Sequence, residues 1–212
     1  NTMNDTDGDG KKEMVFGGIV PDPAGKAWLR LYENTGDNSF SEVWSYDFLY
    51  SDGQSINCAK VVYAGDMDND GKKEFVAGGK KRVSSLGSEP FSNVYYVFES
   101  TGNNAFQKVA EFRKSTDLYG DSSVNVGDVD SDGKNEIIVA KENPAKTDGV
   151  YVIKAVGNNQ YSFVWNHTWS RPGTVSQWLD SIGIGDHDRD GKPEIIFNEY
   201  SGSVNTVMYE KT

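Results

Sequence analysis

Four short acidic segments carry the residues of this chain that are best suited to chemistry. They begin at Asp5, Asp66, Asp128 and Asp186 and share the pattern D-x-D-x-D-G-K-x-E. Each segment brings four carboxylates into nine residues. Ca²⁺ takes about six to eight oxygen ligands, whereas Mg²⁺ demands stricter geometry and keeps its water. One acidic turn could arise by chance, but four matching copies predict four cation sites rather than solvated turns.

The spacing within each segment suits a short metal-binding loop. Side chains at positions 1, 3 and 5 can converge, the glycine at position 6 permits a sharp turn, and Glu at position 9 can close the ligand set. An EF-hand loop would instead close with Glu at position 12 between two helices. Position 12 is Phe16, Ala77, Val139 or Phe197, and the flanks read as strands. Dockerin-type and thrombospondin-type repeats fit poorly for the same reason.

The acidic segments belong to a longer repeat of about 60 residues. Each unit holds short runs of β-branched and aromatic residues, joined by tight turns such as "GDN" and "GNN", without helical periodicity. A four-stranded sheet cannot bury both faces alone, and repeated sheets of this size pack face to face around an axis. The sequence therefore predicts an all-β fold, a β-propeller of four-stranded antiparallel blades, with fourteen strands divided three, four, four and three.

The acidic motif, the strand order and the period resemble the FG-GAP or VCBS repeat, the blade unit of integrin-α-type β-propellers. The resemblance covers essentially the whole chain, and "FGG" and "AGG" in place of the usual motifs favour the bacterial secreted type. It implies that the loop joins the first two strands of a blade and binds Ca²⁺ through side chains at positions 1, 3, 5 and 9 and the carbonyl of position 7. The four implied calcium sites are Asp5, Asp7, Asp9, Lys11 and Glu13; Asp66, Asp68, Asp70, Lys72 and Glu74; Asp128, Asp130, Asp132, Lys134 and Glu136; and Asp186, Asp188, Asp190, Lys192 and Glu194.

Propellers of this family commonly have seven blades, so the resemblance implies about half of one. The predicted units are a partial blade 1–52, blades 53–115 and 116–173, and a partial blade 174–212. The remaining blades are expected from missing sequence or another chain. A closed four-bladed ring is the alternative.

The net charge and the expected calcium sites restrict which partners the protein can bind and where it can be located. The net charge is −11, which argues against nucleic acid and anionic membranes, and no apolar run approaches the ~20 residues of a membrane span. Four Ca²⁺ would offset eight of these charges. Weak calcium sites, with Kd near 10⁻⁴–10⁻³ M, fill only outside cells. We expect an extracellular or cell-surface protein that does not insert into a membrane.

A ligand is expected on the face opposite the calcium loops, where the longer and more variable loops lie. A protein or a glycan would suit their aromatic and planar polar side chains, although the aromatic rings could instead cap the packing of the blades. Trp28, Trp44 and Trp165 are predicted in the core. The loops are 17–27, 79–93, 141–149, 198–205, 46–57, 114–123 and 170–180, with Tyr46, Tyr50, Tyr119, Trp178, Arg82 and Arg171.

Three functions fit this pattern: a calcium-stabilised binding or adhesion scaffold, a lectin, and a propeller fragment of a secreted carbohydrate-active enzyme such as a polysaccharide lyase. The scaffold is predicted, because catalytic residues are not evident. His167 and His187 have no nucleophile or acid nearby in sequence that the motif does not already use. Cys58 precedes a core strand and reads as a small buried hydrophobe. We therefore expect no enzymatic activity in this chain.

Overall fold

The computed structural model describes residues 4–19, 27–48, 56–82, 91–112, 122–141, 147–170, 182–200 and 203–211. Within these ranges the chain forms fourteen strands in four antiparallel sheets, and no helix. The sheets have three, four, four and three strands. The predicted all-β fold and its division of strands are confirmed.

Within each sheet, every strand pairs with the next strand in sequence, so each sheet is an up-and-down meander. The first sheet contains β1 (Glu13–Ile19), β2 (Ala27–Gly36) and β3 (Ser39–Asp47). The second contains β4 (Ile56–Gly65), β5 (Glu74–Arg82), β6 (Phe91–Gly102) and β7 (Ala105–Phe112). The third contains β8 (Ser122–Gly127), β9 (Glu136–Lys141), β10 (Thr147–Gly157) and β11 (Gln160–Ser170), and the fourth contains β12 (Ile182–Gly185), β13 (Glu194–Tyr200) and β14 (Val204–Glu210).

Each acidic loop leads directly into the second strand of a blade-like sheet. The loops at 66–73, 128–135 and 186–193 join β4 to β5, β8 to β9 and β12 to β13. The loop at 5–12 leads into β1, and a single antiparallel bridge between Asn4 and Glu13 stands where the other sheets have their first strand. Glutamate at position 9 is therefore the first residue of a strand in all four repeats.

The four sheets pack face to face in chain order through three apolar clusters. Leu31 and Phe98 lie in the cluster between the first and second sheets. Val97 and Ile137 lie between the second and third, and Phe197 lies between the third and fourth. Because side chains alternate along a strand, the middle sheets bury both faces, and their central strands are almost continuously apolar.

Two of the three tryptophans predicted for the core pack there. Trp44 and Trp165 lie against the first and third clusters. The prediction for Trp28 is wrong, because β2 alternates buried Ala27, Leu29 and Leu31 with half-buried residues on its other face. The guanidinium of Arg30 lies 5.3 Å from the centre of the Trp28 ring.

Some residues of the loops predicted to bind a ligand belong to strands in the structure. β1 extends to Ile19, β5 extends to Arg82, and β10 begins at Thr147. Tyr46 packs against the first cluster with its ring 5.0 Å from that of Phe98, which agrees with a role in blade packing. The remaining predicted ligand-contacting residues and the predicted blade boundaries lie outside the described residues: Tyr50, Tyr119, Arg171, Trp178, 52–53, 115–116 and 173–174.

Candidate metal centres

The four acidic loops share a backbone that turns sharply at two positions. Glycine at position 6 has φ between 85° and 93° in every loop, as predicted, and no atom lies within 4 Å of where a Cβ would be. Position 6 therefore requires glycine for its backbone conformation and not for lack of space. Position 4 also has positive φ, which the sequence pattern did not reveal because three different non-glycine residues stand there. The residues at position 4 are Gly8, Asn69, Ser131 and Arg189.

Backbone amides orient the aspartates at positions 1 and 5. The position-1 carboxylate accepts a hydrogen bond from the glycine amide, as in Gly71 N to Asp66 Oδ2 at 3.0 Å. The position-5 carboxylate accepts one from the amide of position 7, as in Lys72 N to Asp70 Oδ1 at 2.9 Å. Both bonds recur in all four loops. These local hydrogen bonds hold the carboxylates close to one another despite the repulsion between their like charges.

In three loops the carboxylates gather as the pattern predicts. One oxygen of each carboxylate at positions 1, 3, 5 and 9 lies within 4.8 Å of the others in the first, second and fourth loops. Such a group can hold a metal ion. In the third loop the corresponding group contains only Asp128, Asp130 and Glu136, and Asp132 is not part of it.

The glutamate at position 9 is buried in every repeat, with no more than 1% of its surface exposed. Its Oε2 accepts a hydrogen bond from the amide of position 2, as in Met67 N to Glu74 Oε2 at 2.7 Å. Its Oε1 is also buried, and in three repeats it accepts no hydrogen bond from any described residue: Glu13, Glu74 and Glu194. In the third repeat Oε1 of Glu136 lies 3.3 Å from Lys154 Nζ.

Burial makes the charged form of Glu13 and Glu74 unfavourable without a cation. It raises the pKa of Glu74 to about 8, against the lowering effect of the Met67 amide. Nearby Asp68 and Asp66 raise it further. Burial also raises the pKa of Glu13. Glu74 is therefore a buried carboxyl close to other carboxylates, and a bound cation would neutralise their negative charge.

The lysine at position 7 pairs with a second glutamate on the neighbouring strand. Lys72 Nζ lies 2.7 Å from Oε1 of Glu99, which is buried and pairs in register with Glu74. Lys11 and Glu33 in the first sheet and Lys192 and Glu210 in the fourth repeat this contact at 2.7 Å. The resemblance implied only a carbonyl ligand at position 7, so the role of the side chain and its glutamate partner was missed.

The third repeat differs at the position of that second glutamate. Lys154 stands there, and its Nζ lies 2.6 Å from Asp130 Oδ2, 2.7 Å from Asp132 Oδ2 and 3.3 Å from Glu136 Oε1. Burial lowers the pKa of Lys154, but the hydrogen bonds to Asp130 and Asp132 outweigh it, so the pKa is raised well above its ordinary value. The third carboxylate group thus already contains a positive charge.

Hairpin turns of one sheet reach the acidic loop of the preceding sheet. Asn104, in the β6–β7 turn, donates its amide N–H to Asp7 Oδ2 at 2.6 Å and its side-chain N–H to Glu33 at 3.2 Å. Asn159, in the β10–β11 turn, contacts Asp68 and Glu99 in the same way at 2.6 and 3.0 Å. Both asparagines have φ of 55°, a positive value that suits the tight turns expected from "GNN". The loops and turns therefore lie at the same end of the sheets.

The two histidines have different surroundings. His187 is exposed at position 2 of the fourth loop, and its backbone amide donates to Glu194. His167 is half-buried between Glu199, 3.0 Å from Nε2, and Tyr209, whose hydroxyl lies 2.8 Å from Nδ1. Sequence reasoning missed both partners because they come from β13 and β14 of the next sheet. The cluster ties the third sheet to the fourth.

A protein-family model matches the segments that contain the four acidic loops. The model of the FG-GAP-like repeat family matches residues 5–77 and 128–197, which together make up more than half of the chain. This chain belongs to the FG-GAP-like repeat family. Both matched segments of FG-GAP-like repeats begin at the first aspartate of an acidic loop.

Neither a curated protein nor a solved structure gives a match. Among the described residues, no helix has the length and apolar character needed to cross a membrane.

Proposed function

We propose that the acidic loops of these FG-GAP-like repeats bind Ca²⁺ and that the bound ions stabilise the stacked sheets. The observation that supports this proposal is the buried, unsatisfied Oε1 of the glutamate at position 9. It recurs beside three aspartates in the first, second and fourth loops.

An unsatisfied buried oxygen is costly, at about 1–3 kcal/mol and more for a charged group. The same oxygen lies among other carboxylates, so repulsion adds to this cost. A bound cation offsets both costs at once. The ligands would be the carboxylates of positions 1, 3, 5 and 9, and the family resemblance implies the carbonyl of position 7 as a further oxygen. A hard donor set of this kind suits Ca²⁺ better than Mg²⁺, which keeps several waters.

Calcium titration of the metal-stripped chain tests the proposal. Isothermal calorimetry should show binding, and the melting temperature should rise in parallel. Saturating ligand at 100 times Kd stabilises by about 2.7 kcal/mol per site. Mg²⁺ at the same concentration serves as the matched control and should give a smaller rise. No heat of binding together with an unchanged melting temperature would reject the proposal.

We further propose that the chain is an extracellular binding or adhesion scaffold. Support comes from membership of the FG-GAP-like repeat family and from carboxylate groups that would fill where calcium is abundant. The ligand would be a protein or a glycan, held by the loops at the end of the sheets opposite the acidic loops. The acidic net charge of −11 makes nucleic acid an unsuitable partner.

Glycan arrays and a screen against extracellular proteins, each with calcium and with chelator, test this second proposal. Binding that is lost with chelator would support a calcium-stabilised scaffold. Binding to glycans alone would favour a lectin. Turnover of acidic polysaccharides would instead indicate an enzyme.

A further inference from the structure

We propose that the third acidic loop holds no metal ion because Lys154 supplies its positive charge, so that the four acidic loops bind three calcium ions and not four. This inference rests on the proposed function, since it concerns which of the acidic loops take calcium. It assigns to Lys154 the role of a built-in counter-ion.

The position of Lys154 follows from strand register. Glu74 pairs with Glu99, and Glu194 pairs with Glu210. Glu13 and Glu33 form the same pair in the first sheet. In the third sheet Ile137 pairs with Ile153, which puts the next pair, Glu136 and Lys154, in the corresponding place. Three repeats thus have a glutamate at this position, and the third repeat has a lysine.

The consequence is visible in the contacts of the third loop. In the first and second loops, Oδ2 of the position-3 aspartate accepts a hydrogen bond from the amide of a hairpin asparagine. Oδ2 of Asp130 instead lies 2.6 Å from Lys154 Nζ and 3.2 Å from Lys211 Nζ. Two ammonium groups therefore stand where the first and second loops have a neutral donor.

The aspartate at position 5 changes its partner as well. Oδ2 of Asp70 lies 3.2 Å from Lys72, the lysine of its own loop, and that lysine also binds Glu99. Oδ2 of Asp132 lies 2.7 Å from Lys154 instead. This contact accounts for the absence of Asp132 from the group of oxygens that could surround an ion.

One ammonium group contacts carboxylates from positions 3, 5 and 9 of the third loop. These are three of the four side chains that would bind calcium in the other loops. A dication among the same oxygens would meet a like charge at close range, and its ligands would first have to give up their bonds to Lys154. The residues of the third loop do not fit a calcium ion while Lys154 lies among them.

Calorimetric titration of the metal-stripped full chain with CaCl₂ tests the inference. The wild-type chain should bind three equivalents. Lys154→Glu restores the residue type found at 33, 99 and 210 and should bind four. Lys108→Glu makes the same charge change at a lysine paired with Glu111 outside the acidic loops, and it should leave the count at three.

Four equivalents for the wild-type chain would overturn the inference while leaving the proposed function intact. No binding by either protein would overturn the proposed function itself. If Lys154→Glu fails to fold, a pair of milder variants decides. Asp68→Asn should reduce the count to two, whereas Asp130→Asn should leave it at three. Loss of one equivalent from Asp130→Asn would show that the third loop does bind calcium.

Discussion

At the scale of single residues, the glutamate at position 9 links the acidic loop to the sheet. It begins the second strand and holds the loop through the amide of position 2, and in three of the four loops its other buried oxygen has no hydrogen-bond partner among the described residues. Glu74 shows the energetic consequence most clearly, because burial raises its pKa to about 8. The folded metal-free chain therefore binds a proton at this site more tightly than the unfolded chain.

The raised pKa of Glu74 predicts that stability of the metal-free chain falls with rising pH. Between the unfolded value of 4.5 and about 8, the folded state holds the proton and the unfolded state does not. The contribution is complete below 4.5 and is lost as the pH rises through 8. We expect urea unfolding of metal-stripped protein to show a decreasing free energy from pH 5 to pH 8. Saturating calcium should weaken this decrease, since a cation favours the charged carboxylate.

Replacing Glu74 tests whether its carboxyl causes the decrease in the free energy of unfolding. Glu74→Gln cannot ionise, so the metal-free variant should lose less stability over this pH range than the wild-type chain. With calcium it should bind one equivalent fewer and melt at a lower temperature. Asp47→Asn removes a half-exposed carboxylate outside the loops and should match the wild-type chain in both measurements. Parallel pH profiles for Glu74→Gln and wild type would contradict the assignment.

At the scale of elements, the hairpin turns connect the first and second acidic loops to the sheet that follows each of them. The backbone N–H and the side chain of the turn asparagine donate to an aspartate and a glutamate of the preceding repeat, so loop and turn are ordered together. Calcium bound at one loop would therefore stabilise the contact between two sheets as well as its own loop. The first sheet carries a turn of the same conformation, with Asn38 at φ 53°, which makes a matched comparison possible.

Asn159→Gly should weaken the contact between the second and third sheets. Glycine keeps the positive φ and the backbone donor but loses the side-chain hydrogen bond to buried Glu99. We expect a loss of about 1–2 kcal/mol in the free energy of unfolding, because a bond to a charged group is removed. Asn38→Gly is the control, since the Asn38 side chain donates to its exposed neighbour Asp37. Equal effects of the two variants would show that the inter-sheet contact contributes nothing.

At the scale of the whole molecule, stability depends on apolar contacts between sheets. The two middle sheets are buried on both faces, and the aromatic rings of the first cluster join the first sheet to the second. Phe98 is fully buried, stacks on Phe75 at 5.0 Å and meets Tyr46 at the same distance. It therefore contributes to both sheets at once.

Phe98→Ala should destabilise the whole chain by about 3–5 kcal/mol, because it removes a large buried ring and leaves a cavity. Val156→Ala changes a strand residue that is 59% exposed and should cost less than about 1 kcal/mol. Chemical denaturation with and without calcium measures both. A loss from Phe98→Ala no larger than that from the exposed site would contradict the description of the first cluster as a core.

Much of the fold and of the candidate metal sites was predictable, because the signals are local. The candidate ligands of each loop lie within nine consecutive residues, and the alternation of apolar runs with tight turns marks the strands. Position 6 requires glycine for its backbone conformation, so the sharp turn is visible in the amino-acid sequence. The four copies reinforce one another, and the division into fourteen strands followed from counting apolar runs.

The amino-acid sequence by itself determined the repeat, the all-β fold and the carboxylates of the four loops. Only the tertiary structure decided that the loops differ, because the deciding residues lie far away in sequence. Lys154 reaches the third loop through strand pairing, and Asn159 reaches the second loop from the following sheet. The contacts of His167 with Glu199 and Tyr209 also depend on how two sheets pack. Four identical motifs predict four equal sites, but register and packing determine which charges surround each one.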